Sequence, residues 1–357
     1  MACSTHLRLS LEIVKHGIDI SSYLFGLRSF RLNNIDLSII IVNYKSWGVL
    51  QQCLDSFKQF PPKVSYEIIV VDNDSQDGKF NSFRQQFHEI KLIANKGNYG
   101  FSSGCNLGAD NAHGEFLLFL NPDVILTDSP AIDKMLYFAQ ANSDVGITSC
   151  RTLGPSGKRE REIAFLNPWL LIGWLRAMYK LVLSHKIAIN FPENNEIWYP
   201  EWVAGSAILI QRDFFKKIGK WSENNFWMYS EDLDICIKSK NYGKKTALLR
   251  NVELKHSHGG SSRRNPKTTA ITKSEVVTSS HVFIHLYTIG MNRLALHLVI
   301  MIYTLTSSLL RTIITLPFFW KGFFRANLFT LVVIIKYYLS ALIRLTWKSK
   351  RLKSSGS

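Results

Sequence analysis

Phe116-Leu117-Leu118-Phe119-Leu120-Asn121-Pro122-Asp123 is the stretch whose reading decides the fold. Five apolar residues in a row, with no charge among them, predict a strand buried on both faces. The run stops at Asn-Pro-Asp because proline has no N–H to give a central ladder. The Asp123 carboxylate therefore falls at the C-terminal edge of a sheet, where open α/β folds bind their ligands. By itself such an acid fits a turn or helix cap equally well, since Asp128, Ser129 and Pro130 follow closely.

Upstream, Leu37 to Tyr44 predicts a first buried strand. Val49, Leu50, Cys53, Leu54 and Phe57 recur at helical spacing from Trp47 to Phe60, and Pro61-Pro62 ends that helix. Glu67 to Val71 predicts a second strand, stopping at Asp72-Asn73-Asp74. A strand, a helix and a strand in about 35 residues make a parallel crossover unit. A short strand, Lys91 to Ala94, then enters a Gly- and Asn-rich loop, Asn95 to Gly108, that leads into a helix. Free amides at such a helix start suit a phosphate, and the same composition also fits a plain loop with close glycine packing. It lacks the Gly-x-x-x-x-Gly-Lys-Ser/Thr pattern of a nucleotide P-loop.

Downstream, Pro130 to Ala141 predicts a helix and Val145 to Ser149 a strand. Residues 151–200 break this rhythm as an insertion. Arg151, Lys158, Arg159 and Arg161 form a basic cluster, and Pro168 to Lys180 an apolar helix with tryptophans and cations at its rim. That helix suits core packing or a lid over a lipid-linked acceptor. The core resumes with a predicted strand from Trp202 to Ile210, in which Gly205 implies close approach by backbone or ligand, or a bulge. A short helix, Arg212 to Ile218, follows. Ser230 is placed to cap a helix whose first turn holds Glu231, Asp232 and Asp234, more acid than a cap needs. Glu231 and Asp234 share a face there, while Asp232 points about 100° from Glu231. From Leu254 to Arg264 a loop gathers His256, His258, Gly259, Gly260, Arg263 and Arg264, a set suited to a phosphate or a metal.

Composition bounds the class. The chain has 357 residues, 46% hydrophobic and 12% aromatic, which excludes a disordered protein. Its five cysteines are scattered with no Cys-x-x-Cys pair, so no disulfide framework or zinc site is expected and a reducing compartment fits. Leu9 to Phe30 is interrupted by Glu12, Lys15, His16 and Asp19, so residues 1–36 read as an amphipathic leader rather than a signal peptide. The net charge is +16, and ten Lys or Arg with no acid lie between Met291 and the end. Cations embedded in an apolar, aromatic tail point to a membrane surface, with no nucleic-acid partner expected. Leu294 to Leu310 makes about 25 Å of helix, short of the ~30 Å hydrocarbon core. Two helices in the interface, a re-entrant pair, or a soluble helical cap are the readings left for residues 291–357.

Taken in order, these motifs resemble the family 2 inverting glycosyltransferases of GT-A fold, and within them the bacterial rhamnosyltransferase-like branch. Those carrying the resemblance are Ile39 to Tyr44, Val70 to Ser75, Asn98 to Phe101 with Asn106 to Gly108, Leu120 to Asp123, Trp202 to Ser206, and Phe226 to Asp234. The fold it implies is a Rossmann-like, mixed, mainly parallel sheet flanked by helices over residues 37–290, with a C-terminal helical membrane-associated segment.

By the same resemblance, Asn43, Tyr44, Asp72, Asn98, Gly100 and Asn121 serve the nucleotide-sugar donor. Asp123, the one carboxylate left in a variant Asp-x-Asp signature, binds Mg2+ or Mn2+ with help from His256. Ser261, Arg263, Arg264, Trp202 and Gly205 contact the diphosphate or the acceptor. Asp232 is implied as general base, with Glu231 beside it. The implied reaction moves a sugar, L-rhamnose from dTDP-rhamnose being expected, onto a glycan or lipid-linked acceptor at the cytoplasmic face of a membrane. A UDP-hexose donor, a nucleotidyltransferase and a non-catalytic nucleotide-sugar-binding membrane protein are the rivals.

Overall fold

The computed structural model describes residues 35–128, 130–159, 167–190, 195–257 and 265–353. The residues from Asp36 onward belong to one compact unit.

Strand β1 (Leu37–Asn43) is buried at every position. Helix α1 (Trp47–Gln59) follows, then β2 (Tyr66–Asp72), a short α2 (Phe80–Gln86) and β3 (Lys91–Ala94). Helix α3 (Phe101–Asp110) leads to β4 (Phe116–Leu120), also buried throughout. These four strands are parallel in the order β3-β2-β1-β4. The apolar runs sort their residues by alternation, since successive strand side chains point to opposite faces. Leu37, Ile39, Ile41, Phe116, Leu118 and Leu120 join Leu50, Phe57 and Phe83 on one face, whereas Ile40, Val42, Leu117 and Phe119 meet Cys105, Phe215 and Trp221 on the other. At roughly 1.5–3 kcal/mol for each fully buried large apolar side chain, this double burial fixes the register of the sheet.

Beyond β4 the sheet becomes mixed. β5 (Val124–Leu126), α4 (Ala131–Ala141), β6 (Val145–Leu153), a 3-10 turn (Pro168–Leu171), α5 (Gly173–Asn190) and β7 (Ile197–Trp198) come next. Then come β8 (Ala207–Gln211), α6 (Arg212–Lys217), α7 (Glu231–Asn241) and β9 (Lys245–His256). β8 lies antiparallel to β4, and the order continues β8-β6-β9-β5, with β6 parallel to β9 and β5 antiparallel to it. The fold is, as expected, a mixed sheet flanked by helices.

Three local expectations are corrected. The strand expected from Trp202 begins only at Ala207, because the turn through Gly205 and Ser206 keeps Trp202 to Ser206 in a loop. His256 ends β9 instead of sitting in a loop, paired with Val124. Ser230 precedes α7 without a side-chain cap bond, its own backbone being left-handed at φ 62°.

Helix α8 (Pro266–Tyr287) starts at Asn265, whose side chain accepts from the Thr268 amide. Helices α9 (Gly290–Thr315) and α10 (Gly322–Arg344) follow. The length estimate for the tail is also corrected: α9 does not stop before Arg311, and its 26 residues reach about 39 Å. Both helices are long and apolar enough to cross a membrane, with mean hydropathy 1.6 and 1.8. Only 6% and 28% of those windows are buried, so residues such as Ile314, Phe319, Trp320 and Leu342 face outward. α10 packs on α8 and α9.

Candidate active site

The parallel strands end together, and their C-terminal edge carries the first group of site residues. Asn43 closes β1 and Asp72 closes β2, in register with each other. The Asn43 carboxamide is fully buried; its Nδ2 donates to Asp72 Oδ1 at 2.7 Å, and its Oδ1 accepts from the Ser46 amide at 3.0 Å. Asp72 also accepts from the Ser75 amide and hydroxyl. Tyr44, by contrast, is exposed, with the Lys45 ammonium 5.4 Å from its ring centroid.

Asn73 was not singled out by its sequence, yet it ties this edge to the glycine-rich loop. Its Nδ2 donates to the Gly100 carbonyl at 2.8 Å, and its Oδ1 accepts from Asn95. Gly100 sits at φ 96°, and a Cβ there would lie 2.1 Å from the Trp227 carbonyl oxygen. Only glycine meets both demands. Asn98 accepts from its own loop through Oδ1 and from the Trp227 indole through its carbonyl at 3.0 Å. The loop expected to hold the donor and the aromatic stretch before Glu231 are thus one hydrogen-bonded body.

Asp123 follows β4 and is 5% exposed. Its Oδ1 lies 3.3 Å from His256 Nε2, and its carbonyl accepts from the Ser257 amide. The two residues meet because β5, which starts at once after Asp123, pairs with the end of β9. Asn121, half-buried, donates its amide to the Ser206 carbonyl at 2.9 Å.

That bond leads to the acids of α7. Gly205, next to Ser206, donates its amide to Asp232 Oδ2 at 3.2 Å, and the Leu233 amide donates to Asp232 Oδ1 at 3.0 Å. Tyr229 and Ser230, both left-handed non-glycine residues at φ 71° and 62°, bend the chain into this position. Such backbone strain persists only where the surroundings enforce it.

The three acids of the first turn differ. Asp234 is occupied, accepting from Ser222 and Tyr287 and pairing with Lys238 at 3.2 Å. Glu231 is buried with Oε2 lacking a partner among the described residues. Burial, and then the charges of Asp232 and Asp234, push the Glu231 carboxyl well above the ordinary glutamate range. Burial raises Asp232 as well, against the pull of its two amide donors.

Trp202 is half-buried against the second core layer. Ser261, Arg263 and Arg264 lie outside the described residues. Among the described residues no three His, Cys, Asp or Glu gather as a metal cage. Asp123 and His256 nonetheless offer one carboxylate and one imidazole on a buried edge. This partial set fits Mg2+ or Mn2+, which keep several positions for water and substrate phosphate.

Residues 38–195 match the model of glycosyl transferase family 2. That match takes in less than half of the chain, which is similar to this family over those residues. Haloferax volcanii low-salt glycan biosynthesis hexosyltransferase Agl10 is 30% identical over 57% of this chain. The alignment spans 62% of that relative, less than two thirds of its length. The Mycobacterium tuberculosis N-acetylglucosaminyl-diphospho-decaprenol L-rhamnosyltransferase is 22% identical over 64% of this chain and 78% of its own. A crystal structure of Staphylococcus aureus TarS 1–349 superposes with a TM-score of 0.47 at 15% identity, covering 74% of this chain and 71% of that one. The family 2 match runs from β1 through β6 to residue 195; Asp232 and His256 lie beyond it.

Proposed function

We propose that this protein is an inverting glycosyltransferase that moves a hexosyl group, L-rhamnose from dTDP-rhamnose, onto a hydroxyl of a glycan or polyprenyl-diphosphate-linked acceptor. The observation that carries this reading is the path Asn121–Ser206–Gly205–Asp232. It sets a carboxylate from α7 at the same sheet edge as the Asp123–His256 pair.

In this reading Asn43 and Tyr44 lie against the base and ribose of the donor, Asp72 accepts a hydrogen bond from one of them, and the loop from Asn98 supports the donor. Asp123 and His256 would hold the divalent ion, whose charge stabilises the departing diphosphate. Ser261, Arg263, Arg264, Trp202 and Gly205 would contact the diphosphate or the acceptor. Asp232 takes the proton of the attacking hydroxyl, and its raised affinity for protons suits a base working near neutrality. Glu231, protonated beside it, limits repulsion between the two carboxyls. A single displacement from the face opposite the leaving group inverts the anomeric carbon and needs no protein nucleophile.

The proposed organisation is a leader at 1–36, the catalytic domain at 37–290 with 151–200 as acceptor lid, and a membrane-associated tail at 291–357. Exposed apolar surface on α9 and α10, with Arg311, Lys321 and Arg325 among it, supports a place at the cytoplasmic membrane face. A soluble cap would leave that surface in water.

A donor panel assayed by nucleoside diphosphate release, with membrane extract as acceptor, tests the reading. Release from dTDP-rhamnose supports it in full. A response to a UDP-hexose alone replaces the donor and keeps the reaction class, and no response to any nucleotide sugar overturns the reading.

A further inference from the structure

The chain does not end on the tail helices. Leu345 turns left-handed at φ 51° and closes α10, after which residues 346–353 run back onto the catalytic domain. Ser349 Oγ and Arg351 Nη1 both bond Glu275 Oε1, at 3.0 and 2.7 Å. Glu275 lies on α8 and is 2% exposed, so Arg351 supplies the counter-charge of a buried carboxylate. That requirement fixes where this strap lies.

From this anchor the strap reaches both loops of the candidate site. The Arg351 guanidinium sits 5.7 Å from the Trp227 ring centroid, and the Lys353 ammonium 5.7 Å from that of Tyr99. Trp227 and Tyr99 are already linked, because the Trp227 indole donates to the Asn98 carbonyl and its own carbonyl accepts from the Phe101 amide. α8 also holds the aromatic stretch directly, through Ser279 Oγ donating to the Met228 carbonyl at 2.6 Å. Just beyond it come the strained Tyr229 and Ser230, then Glu231 and Asp232. A backbone in that conformation needs outside support.

We propose that Arg351 is a positioning residue: by bridging Glu275 and Trp227 it holds the loop entering α7 in its working geometry, and so makes transfer depend on α10 being seated beside α8. The inference rests on the transferase reading for its kinetic consequence, but its structural consequence stands apart from any activity. Membrane seating of the tail and assembly of the acceptor side of the site become a single event.

The test uses the full chain in detergent and in anionic vesicles, comparing wild type, Arg351→Ala, Arg351→Lys and Glu275→Gln. Amide hydrogen exchange is followed in peptides covering 97–104 and 226–231, with β2 as the internal reference. Arg351→Ala is expected to speed exchange in both loops by about tenfold while leaving β2 unchanged, with Arg351→Lys restoring much of the protection. With an active donor, kcat falls by a similar factor and the donor KM changes little. Unchanged exchange at 97–104 and 226–231 in Arg351→Ala overturns the proposal, whatever happens to turnover. If that variant does not accumulate folded, Glu275→Gln, which keeps the Ser349 bond and removes the ion pair, is read by the same two outcomes. Wild-type protein inactive with every donor would instead count against the transferase reading.

Discussion

Gly205 donates its backbone amide to Asp232 across 27 positions of sequence, and this 3.2 Å bond places the first turn of α7 beside the strand edge that carries Asp123. Asp232 is thereby held by two main-chain donors, which fix the carboxylate without neutralising it. Glu231, its neighbour, has no such support at Oε2.

The contrast sets a pH dependence. Glu231 has a raised affinity for protons in the folded state, so the native protein binds more protons than the unfolded chain above the ordinary glutamate range. Stability from this group is fully present below that range and is lost as pH rises through the folded value. Glu231→Gln should therefore raise the melting temperature at pH 8 relative to wild type and give no gain at pH 4, measured by thermal scans in matched buffers.

Gly100 is predicted to be intolerant. Its φ of 96° and the 2.1 Å approach of the Trp227 carbonyl leave no room for a Cβ, and the obstacle is backbone. Gly100→Ala should cost about 2 kcal/mol or more in denaturant unfolding and reduce donor affinity together with stability.

Asp234 is predicted to be structural. It holds Ser222, Tyr287 and Lys238, binding α7 to α8. Asp234→Ala should destabilise by about 3 kcal/mol, because it leaves a lysine and two hydroxyls without their acceptor. Chemical unfolding reads this directly, and Asp232→Ala should be far milder in the same assay.

The tail should bind anionic lipid through charge as well as apolar area. Lys321 and Arg325 are exposed around the turn between α9 and α10. Lys321→Gln and Arg325→Gln should each weaken binding to anionic vesicles about fivefold at low salt, with little effect on neutral vesicles, by co-sedimentation.

Much of the fold was legible because it is written in short-range patterns. Leu37 to Asn43 and Phe116 to Leu120 are uncharged runs bounded by Asn or Pro, and both are wholly buried strands. The paired β5 and β9 were not legible: three residues after a proline carry no strand period, and the pairing partner lies over a hundred residues away. Asn73 carries no signal for the same reason, since its bond to Gly100 is visible only once the loop has folded back. The strain at Tyr229 and Ser230 had no signal either, as neither residue favours the left-handed region. The length of the tail helices is not legible from charge, because Arg311 reads as a break in an apolar run, whereas a long cationic side chain on a helix surface can extend to the polar boundary without interrupting it.

The most direct test of the central claim separates the two carboxylates by function. Isothermal titration with the donor and Mn2+, alongside single-turnover sugar transfer, is measured for Asp123→Asn and Asp232→Asn. The account predicts that Asp123→Asn loses metal-dependent donor binding, while Asp232→Asn binds the donor as wild type does and transfers sugar roughly 10²- to 10⁴-fold more slowly. Near wild-type transfer by Asp232→Asn, or unchanged metal-dependent binding by Asp123→Asn, would contradict it.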